Sequence, residues 1–310
     1  MSFNIRLMMP TGCGNMINKN RNLFIIFGLL PGFLLVLLVI VYPALKALYM
    51  SFFNATALSQ HPSFAGLDNF LYLAKDDNFI ISLKNTLLLM LVVPVVTLFI
   101  SVVLAVMVTQ VKFKEKALYR ILFFFPSVLS LIVVGIVWSF IYNPNLGILN
   151  GFLEAIGLDS LAMMWLGDSR TALMAVGITL VWQAAGYYMI MYVAGIDRIP
   201  AELYESATLD GAGPIRKFTS VTFPFLWELM RITYIFAVNG VVSLSFVLTT
   251  VMTGGGPGLS TSVIFLYMYN QAFTNANFGY AMAIAVVAMV ILFALAVVSN
   301  KLTERDNIEY

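Results

Sequence analysis

Five long, strongly apolar runs of this chain contain no Asp, Glu, Lys or Arg: 22–45, 85–111, 121–153, 171–196 and 232–300. A helix needs about 20 apolar residues to cross the hydrocarbon core of a bilayer. Each of the first four runs is long enough for one crossing, and the fifth is too long for one. In lipid, every backbone N–H and C=O must find a partner within the protein, which leaves helices or a closed barrel. Barrel strands alternate apolar and polar residues. These runs are continuously apolar, so they require helices. Helix-breaking clusters divide the longer runs: Thr253-Gly-Gly-Gly-Pro-Gly258, Asn275-Ala-Asn-Phe-Gly279 and Asn143-Pro-Asn145. The reading is an all-α polytopic membrane protein. It has six transmembrane helices, near 22–45, 85–111, 119–142, 171–196, 230–252 and 279–300. The piece 262–269 is too short to cross and is expected at the interface or packed between helices.

Composition enters as a check. Of 310 residues, 61% are hydrophobic and 10% charged, against roughly 25% charged in soluble domains. An ordinary soluble enzyme, a disordered chain and a disulfide-framed module are excluded. Cys13 and His61 are the one cysteine and the one histidine. Neither a disulfide nor a Cys/His metal site can be built from such a pair. Lys19 and Arg21 precede the first run, as they would a signal peptide. Its apolar stretch exceeds the roughly 7–15 residues of a signal core, so a retained helix behind a polar tail is expected. With the N-terminus inside, 13 of the 17 Lys and Arg fall in cytoplasmic segments and 4 outside. The positive-inside rule then predicts that both termini are cytoplasmic.

No acidic or basic residue falls near the middle of any predicted span, which argues against a proton relay or ion pathway. The fourth span carries Trp182, Gln183, Tyr187 and Tyr188 at mid-depth, and the fifth carries Asn239, Ser243 and Ser245. Rings stack on sugar faces and neutral polar groups match hydroxyls. The set therefore suits an uncharged polyhydroxyl ligand. The same residue types also tie helices together in membranes, and the sequence leaves both readings open.

The connection 197–228 is the longest loop on the basic side. Pro200 suits the first turn of a helix, and Glu202 and Glu205 complement its positive end. Gly211, Gly213 and Pro214 stop that helix and start another. Leu203, Ala207, Phe218 and Val221 would stay exposed unless covered. An amphipathic helix pair of this kind lies either in the interface or in a partner's groove.

The residues here resemble a known family, the permease subunits of bacterial ABC importers. Glu205-Ser206-Ala207, Gly211 and Val221-Thr222-Phe223-Pro224 stand at the spacings of that family's signature, Glu-Ala-Ala, Gly and Ile-x-Leu-Pro. Ser206, Val221 and Phe223 are its modest departures. Ile199-Pro200, Tyr204-Glu205 and Asp210-Gly-Ala-Gly213 resemble the carbohydrate branch. Thr253-Gly-Gly-Gly-Pro257 with Ser260-Thr261 resembles the maltose-transporter type of first permease subunit. Phe64-Ala-Gly-Leu-Asp-Asn-Phe70 and Leu83-Lys-Asn-Thr86 add to the likeness, which runs from about 22 to 300.

The resemblance implies a type I importer fold, with a five-helix core and an extra first helix wrapping the partner permease. It implies a cytoplasmic tail over 1–20, a permease domain over 21–302 with its core from about 80, coupling helices over 201–224, and a tail over 303–310. It further implies a bacterial plasma-membrane location and three kinds of partner. These are a second homologous permease subunit in a heterodimer, two copies of a cytoplasmic ATPase subunit, and an extracytoplasmic solute-binding protein. Glu205, Ala207, Asp210 and Gly211 would form the ATPase-coupling site. Glu205 would meet the ATPase surface, Ala207 would pack into its groove, and Gly211 would allow the bend. Gln183, Tyr187, Asn239, Ser243 and Ser245 are the substrate-cavity candidates. No cofactor, metal or catalytic residue is implied.

Two rival classes are weaker. A stand-alone secondary transporter often shows an internal repeat, and none is legible here. An intramembrane enzyme would need a nucleophile and base or a metal set at mid-depth. The glycine-rich segment 253–261 lacks the lysine of a phosphate loop, so energy would come from a separate subunit.

Overall fold

The computed structural model describes residues 25, 27–56, 59, 62–110 and 115–303. Cys13, His61, the 1–20 tail and residues 304–310 lie outside these. Helix α1, Phe27–Met50, has no buried residue and contains a π turn at Leu37–Val41. A two-stranded hairpin follows, β1 (Phe53–Asn54) antiparallel to β2 (Ser63–Phe64), with Phe53 opposite Phe64. Next come the short α2 (Asp68–Leu73) and the long α3 (Asp77–Gln110). After α4 (Lys116–Val128), α5 (Leu131–Ile141) and the short α6 (Ile148–Ala155), the 25-residue α7 runs from Ala172 to Ile196. Helix α8 (Ala201–Leu209) leads into α9 (Pro214–Met252), which has a π turn at Phe218–Thr222. Helix α10 (Ile264–Tyr269) continues as a π turn over Asn270–Thr274, and α11 (Phe278–Thr303) closes the bundle. The all-α, polytopic reading holds.

One predicted span is corrected. The segment read as a single helix near 119–142 is a pair, α4 and α5, bent by 100°. Pro126 has no N–H to give. Leu129 and Ser130 are extended, with ψ of 144° and 133°, and turn the chain between the two helices. Two other spans begin earlier than the charge-free runs suggested. Helix α3 starts at Asp77, an acidic residue in the first turn, where the helix dipole favours it. Helix α9 continues back through Arg231, which pairs with Glu228, one turn away, at 2.7 Å. The piece 262–269 is α10, packed between helices with Ile264, Leu266 and Tyr267 buried.

Helices gain little from apolar burial when their surroundings are also apolar, so close packing and hydrogen bonds must hold them together. The α3–α7 pair is the most extensive contact. Leu89, Val93, Val176, Leu180, Val242 and Leu248 pack into one half of the α3–α7–α9 core, and Leu98, Val102, Met189, Tyr192 and Leu226 into the other. Ser101 Oγ of α3 donates to the Ala185 carbonyl of α7 at 2.8 Å. Gly186 lets α7 meet α4 backbone to backbone, since a Cβ there would overlap the Phe123 carbonyl. Helices α10 and α11 join through Phe79, Ile264, Tyr280 and Ile284.

Candidate coupling loop and substrate face

The segment 197–222 is built around a short exposed helix and a glycine. Pro200 precedes α8 and Glu202 sits in its first turn. At the far end, the Ala212 N–H donates to the Ala207 carbonyl at 2.9 Å, and the Gly211 N–H to the Thr208 carbonyl at 3.0 Å. These two bonds make a Schellman ending, whose turning residue must take a positive φ. Gly211 supplies it at +74°. Pro214 then opens α9.

Glu205, Asp210 and Gly211 are exposed and Ala207 is half-buried. Leu209 and Ile215 flank the glycine and are 90% and 81% exposed. The structure thus brings the four predicted coupling residues together on one protruding elbow. It adds Leu209 and Ile215, which sequence reasoning passed over. Their apolar side chains beside a turn were the signal available.

The five substrate-face candidates separate into three groups. Asn239 and Ser243 share one exposed face of α9, one turn apart. The Asn239 side-chain amide donates to the Ile235 carbonyl at 2.8 Å, leaving its oxygen to the face. Tyr187 of α7 is half-exposed and its ring meets that of Tyr188 edge-on at 5.2 Å. Gln183 is buried. Ser245 is wholly buried and donates to the Val242 carbonyl at 3.0 Å within its own helix, so it stands apart from Asn239 and Ser243.

The larger cavities do not suit a polyhydroxyl solute. One of about 640 Å³, between α3 and α9, is lined by Leu98, Phe99, Phe223, Trp227 and other residues that are mostly apolar. Another of about 650 Å³, between α3 and α7, is polar only near Asn85, Ser169, Arg170 and Ser260.

The opposite end of the bundle is polar and closely tied. The glycine turn after α9 takes positive φ at Gly254, Gly255 and Gly258 and lies against α3. Asp76, mostly buried, accepts hydrogen bonds from the hydroxyls of Tyr267 and Tyr280, and Gln271 donates to the Tyr267 hydroxyl at 2.7 Å. Burial first, and then the Asp76 carboxylate, push the Tyr267 phenol well above the usual tyrosine range. On the loop before α7, the side-chain hydrogen bond from exposed Arg170 holds half-buried Asp168 down at about 2. Arg170 is raised in turn. Both groups are solvated, so the pair adds little stability.

Comparison with known proteins agrees with this architecture. Residues 83–307 match the family described as binding-protein-dependent transport system inner membrane component. A Bacillus subtilis (strain 168) protein described as probable ABC transporter permease protein YurN is 37% identical, over 92% of this chain and 97% of that one. The diacetylchitobiose uptake system permease protein NgcF of Streptomyces coelicolor (strain ATCC BAA-471 / A3(2) / M145) is also 37% identical, over 85% of this chain and 78% of its own length. The fold is similar to a chain of a bacterial ABC transporter involved in the import of the acidic polysaccharide alginate. That match has a TM-score of 0.81 at 23% identity and covers 94% of this chain and 99% of that one. With its bundle of long apolar helices and its exposed glycine elbow, the chain belongs to the binding-protein-dependent inner membrane component family and is a multi-pass permease subunit of an ABC importer.

Proposed function

We propose that the chain carries an uncharged sugar or sugar-like solute inward across a bacterial plasma membrane, as the first permease subunit of a maltose-transporter-type importer. Its partners on this reading are a second homologous permease subunit, two copies of a cytoplasmic ATPase subunit and an extracytoplasmic binding protein. Both termini are cytoplasmic, as the 13-to-4 distribution of Lys and Arg supports.

The observation that carries the solute class is the chemistry of the exposed middle of α7 and α9. Tyr187, Asn239 and Ser243 offer a ring and neutral hydrogen-bonding groups. No Asp, Glu, Lys or Arg occurs in 171–196 or 232–252. A saccharide relative, the diacetylchitobiose permease, supports the same class.

The elbow over 201–224 is the ATPase-coupling site. Glu205 and Asp210 supply charge, Ala207 a small close-approach surface, and Leu209 and Ile215 apolar area for a groove to cover. Gly211→Glu tests this part. A Cβ at Gly211 meets no atom within 4 Å, but its φ of +74° strains any side-chain-bearing residue, so Gly211→Ala is run beside it to separate backbone strain from the added carboxylate. Normal insertion with loss of ATPase co-purification and of uptake is expected. Full uptake overturns the docking role.

The solute is tested by reconstituting the importer with its binding protein and offering neutral oligosaccharides and glycerol 3-phosphate in parallel. Saccharide uptake is expected. Transport of the phosphate ester and of no neutral saccharide overturns the solute class.

A further inference from the structure

Helix α8 is weakly embedded in its own chain. None of its residues is buried. It joins α9 through the turn at Gly211 and Gly213, and glycine turns are compliant. Tyr204 reaches out of α8 into the bundle. Its hydroxyl shares a hydrogen bond with the Thr222 hydroxyl at 2.9 Å, across 18 positions of sequence.

Thr222 is fully buried and ends the π turn Phe218–Thr222 at the foot of α9. Single π turns inside helices are rare and collect at functional sites. Eleven positions further, close to three helical turns and so on nearly the same face, Thr233 shares a 2.6 Å hydrogen bond with the Tyr192 hydroxyl of α7. Both of those side chains are fully buried. One face of α9 is therefore held twice by tyrosine hydroxyls, once from α8 and once from α7. Tyr188 lies one turn along α7 from Tyr192, and Tyr187, next to it in sequence, faces outward.

We propose that Tyr204 is a positioning residue for transport. Its bond to Thr222 makes α8 and the foot of α9 one body across the glycine turn. A push on α8 is then delivered to α9, and through Thr233 and Tyr192 to α7, the helix that bears Tyr187. This rests on the reading of 201–224 as the ATPase-docking segment.

The test uses the complete importer in proteoliposomes, with Tyr204→Phe, Thr222→Val, the double variant and Thr222→Ser. The readouts are ATPase co-purification, ATP hydrolysis stimulated by loaded binding protein, and solute moved per ATP. Expected are normal co-purification, near-normal hydrolysis and a roughly fivefold fall in solute per ATP for each single variant, the scale of one lost hydrogen bond. The double variant should fall by less than the two single effects combined, because both substitutions remove the same bond. Thr222→Ser should keep the ratio, since it keeps the hydroxyl. Uptake and hydrolysis falling in equal proportion overturn the inference, because Tyr204 then only supports the fold. So does an unchanged ratio in Tyr204→Phe. Gly211→Glu run in parallel separates the two levels. If that variant loses uptake while the Tyr204→Phe ratio is unchanged, only the link fails. If that variant transports fully, the docking reading fails, and the link with it.

Discussion

Asn85, early in α3, donates its side-chain amide to the carbonyl of Ser262, 2.9 Å away and 177 positions later in the chain. It also donates to the Leu259 carbonyl at 3.2 Å. One amide thus fastens the glycine turn after α9 to a helix from the first third of the sequence. Asn85→Leu leaves both carbonyls without that donor. A stability loss of about 1–2 kcal/mol is expected. Limited proteolysis should cut first within 253–261. An unchanged cleavage pattern would show that the other ties hold the turn alone.

Asp76 collects two tyrosine hydroxyls and caps the start of α3 through the Asn78 N–H at 3.0 Å. Asp76→Ala should lower stability by roughly 2–4 kcal/mol, because mostly buried donors lose their acceptor. Thermal unfolding in detergent checks it, and an unchanged Tm refutes it. The pH dependence follows from Tyr267, whose folded pKa is raised. Stability from its neutral phenol is complete below the unfolded value of about 10 and is lost as pH rises through the folded value. Asp76→Asn removes the charge that helps raise it, so folded Tyr267 should ionise at lower pH and the alkaline loss, which starts at the unfolded value, should be smaller. Tyrosinate absorbance followed during an alkaline titration reads this directly.

Gly186 and Gly240 should answer the same substitution differently. A Cβ at Gly186 runs into the Phe123 backbone, while one at Gly240 meets nothing within 4 Å. Gly186→Ala should cost about 1–3 kcal/mol or more as α7 and α4 are forced apart. Gly240→Ala should be neutral or slightly stabilising. Equal Tm values for the two would contradict the close approach.

Tyr187→Ala and Ser245→Ala separate exposed from buried candidates. Tyr187 presents its ring, whereas Ser245 spends its hydroxyl within α9. Loss of Tyr187 should raise the KM for uptake roughly tenfold, the scale of one aromatic contact of about 1 kcal/mol or slightly more. Ser245→Ala should leave uptake within about twofold, since it removes one modest hydrogen bond and no surface contact. The reverse order would move the solute path off the Tyr187 face.

Most of the helices were legible because charge avoidance in lipid is severe. Residues 85–110, 172–196 and 279–300 of the predicted spans fall inside α3, α7 and α11. What failed was the assumption that an uninterrupted apolar run is one straight helix. The break between α4 and α5 lies at Leu129 and Ser130, in a run with no glycine until Gly135. Pro126, three residues before the break, was the available signal. The elbow at 201–224 was legible because Gly211 and Pro214 are local backbone requirements. The candidate substrate face was only half legible. Asn239 and Ser243 share a face, but whether Ser245 points into the core depends on packing between helices, which no run of residues encodes. Tyr204 and Thr222 drew no notice as a pair for the same reason.

Helix α1 lies almost entirely outside its own chain's packing, touching it near its C-terminal end, where it meets α11. A side chain there has almost no intramolecular neighbours to satisfy. Its length and residues can drift with bilayer thickness or with whatever lies beside it, while the core formed by α3, α7 and α9 keeps its shape. Evolution can therefore tune this helix as an accessory, with little consequence for whether the rest of the polypeptide folds.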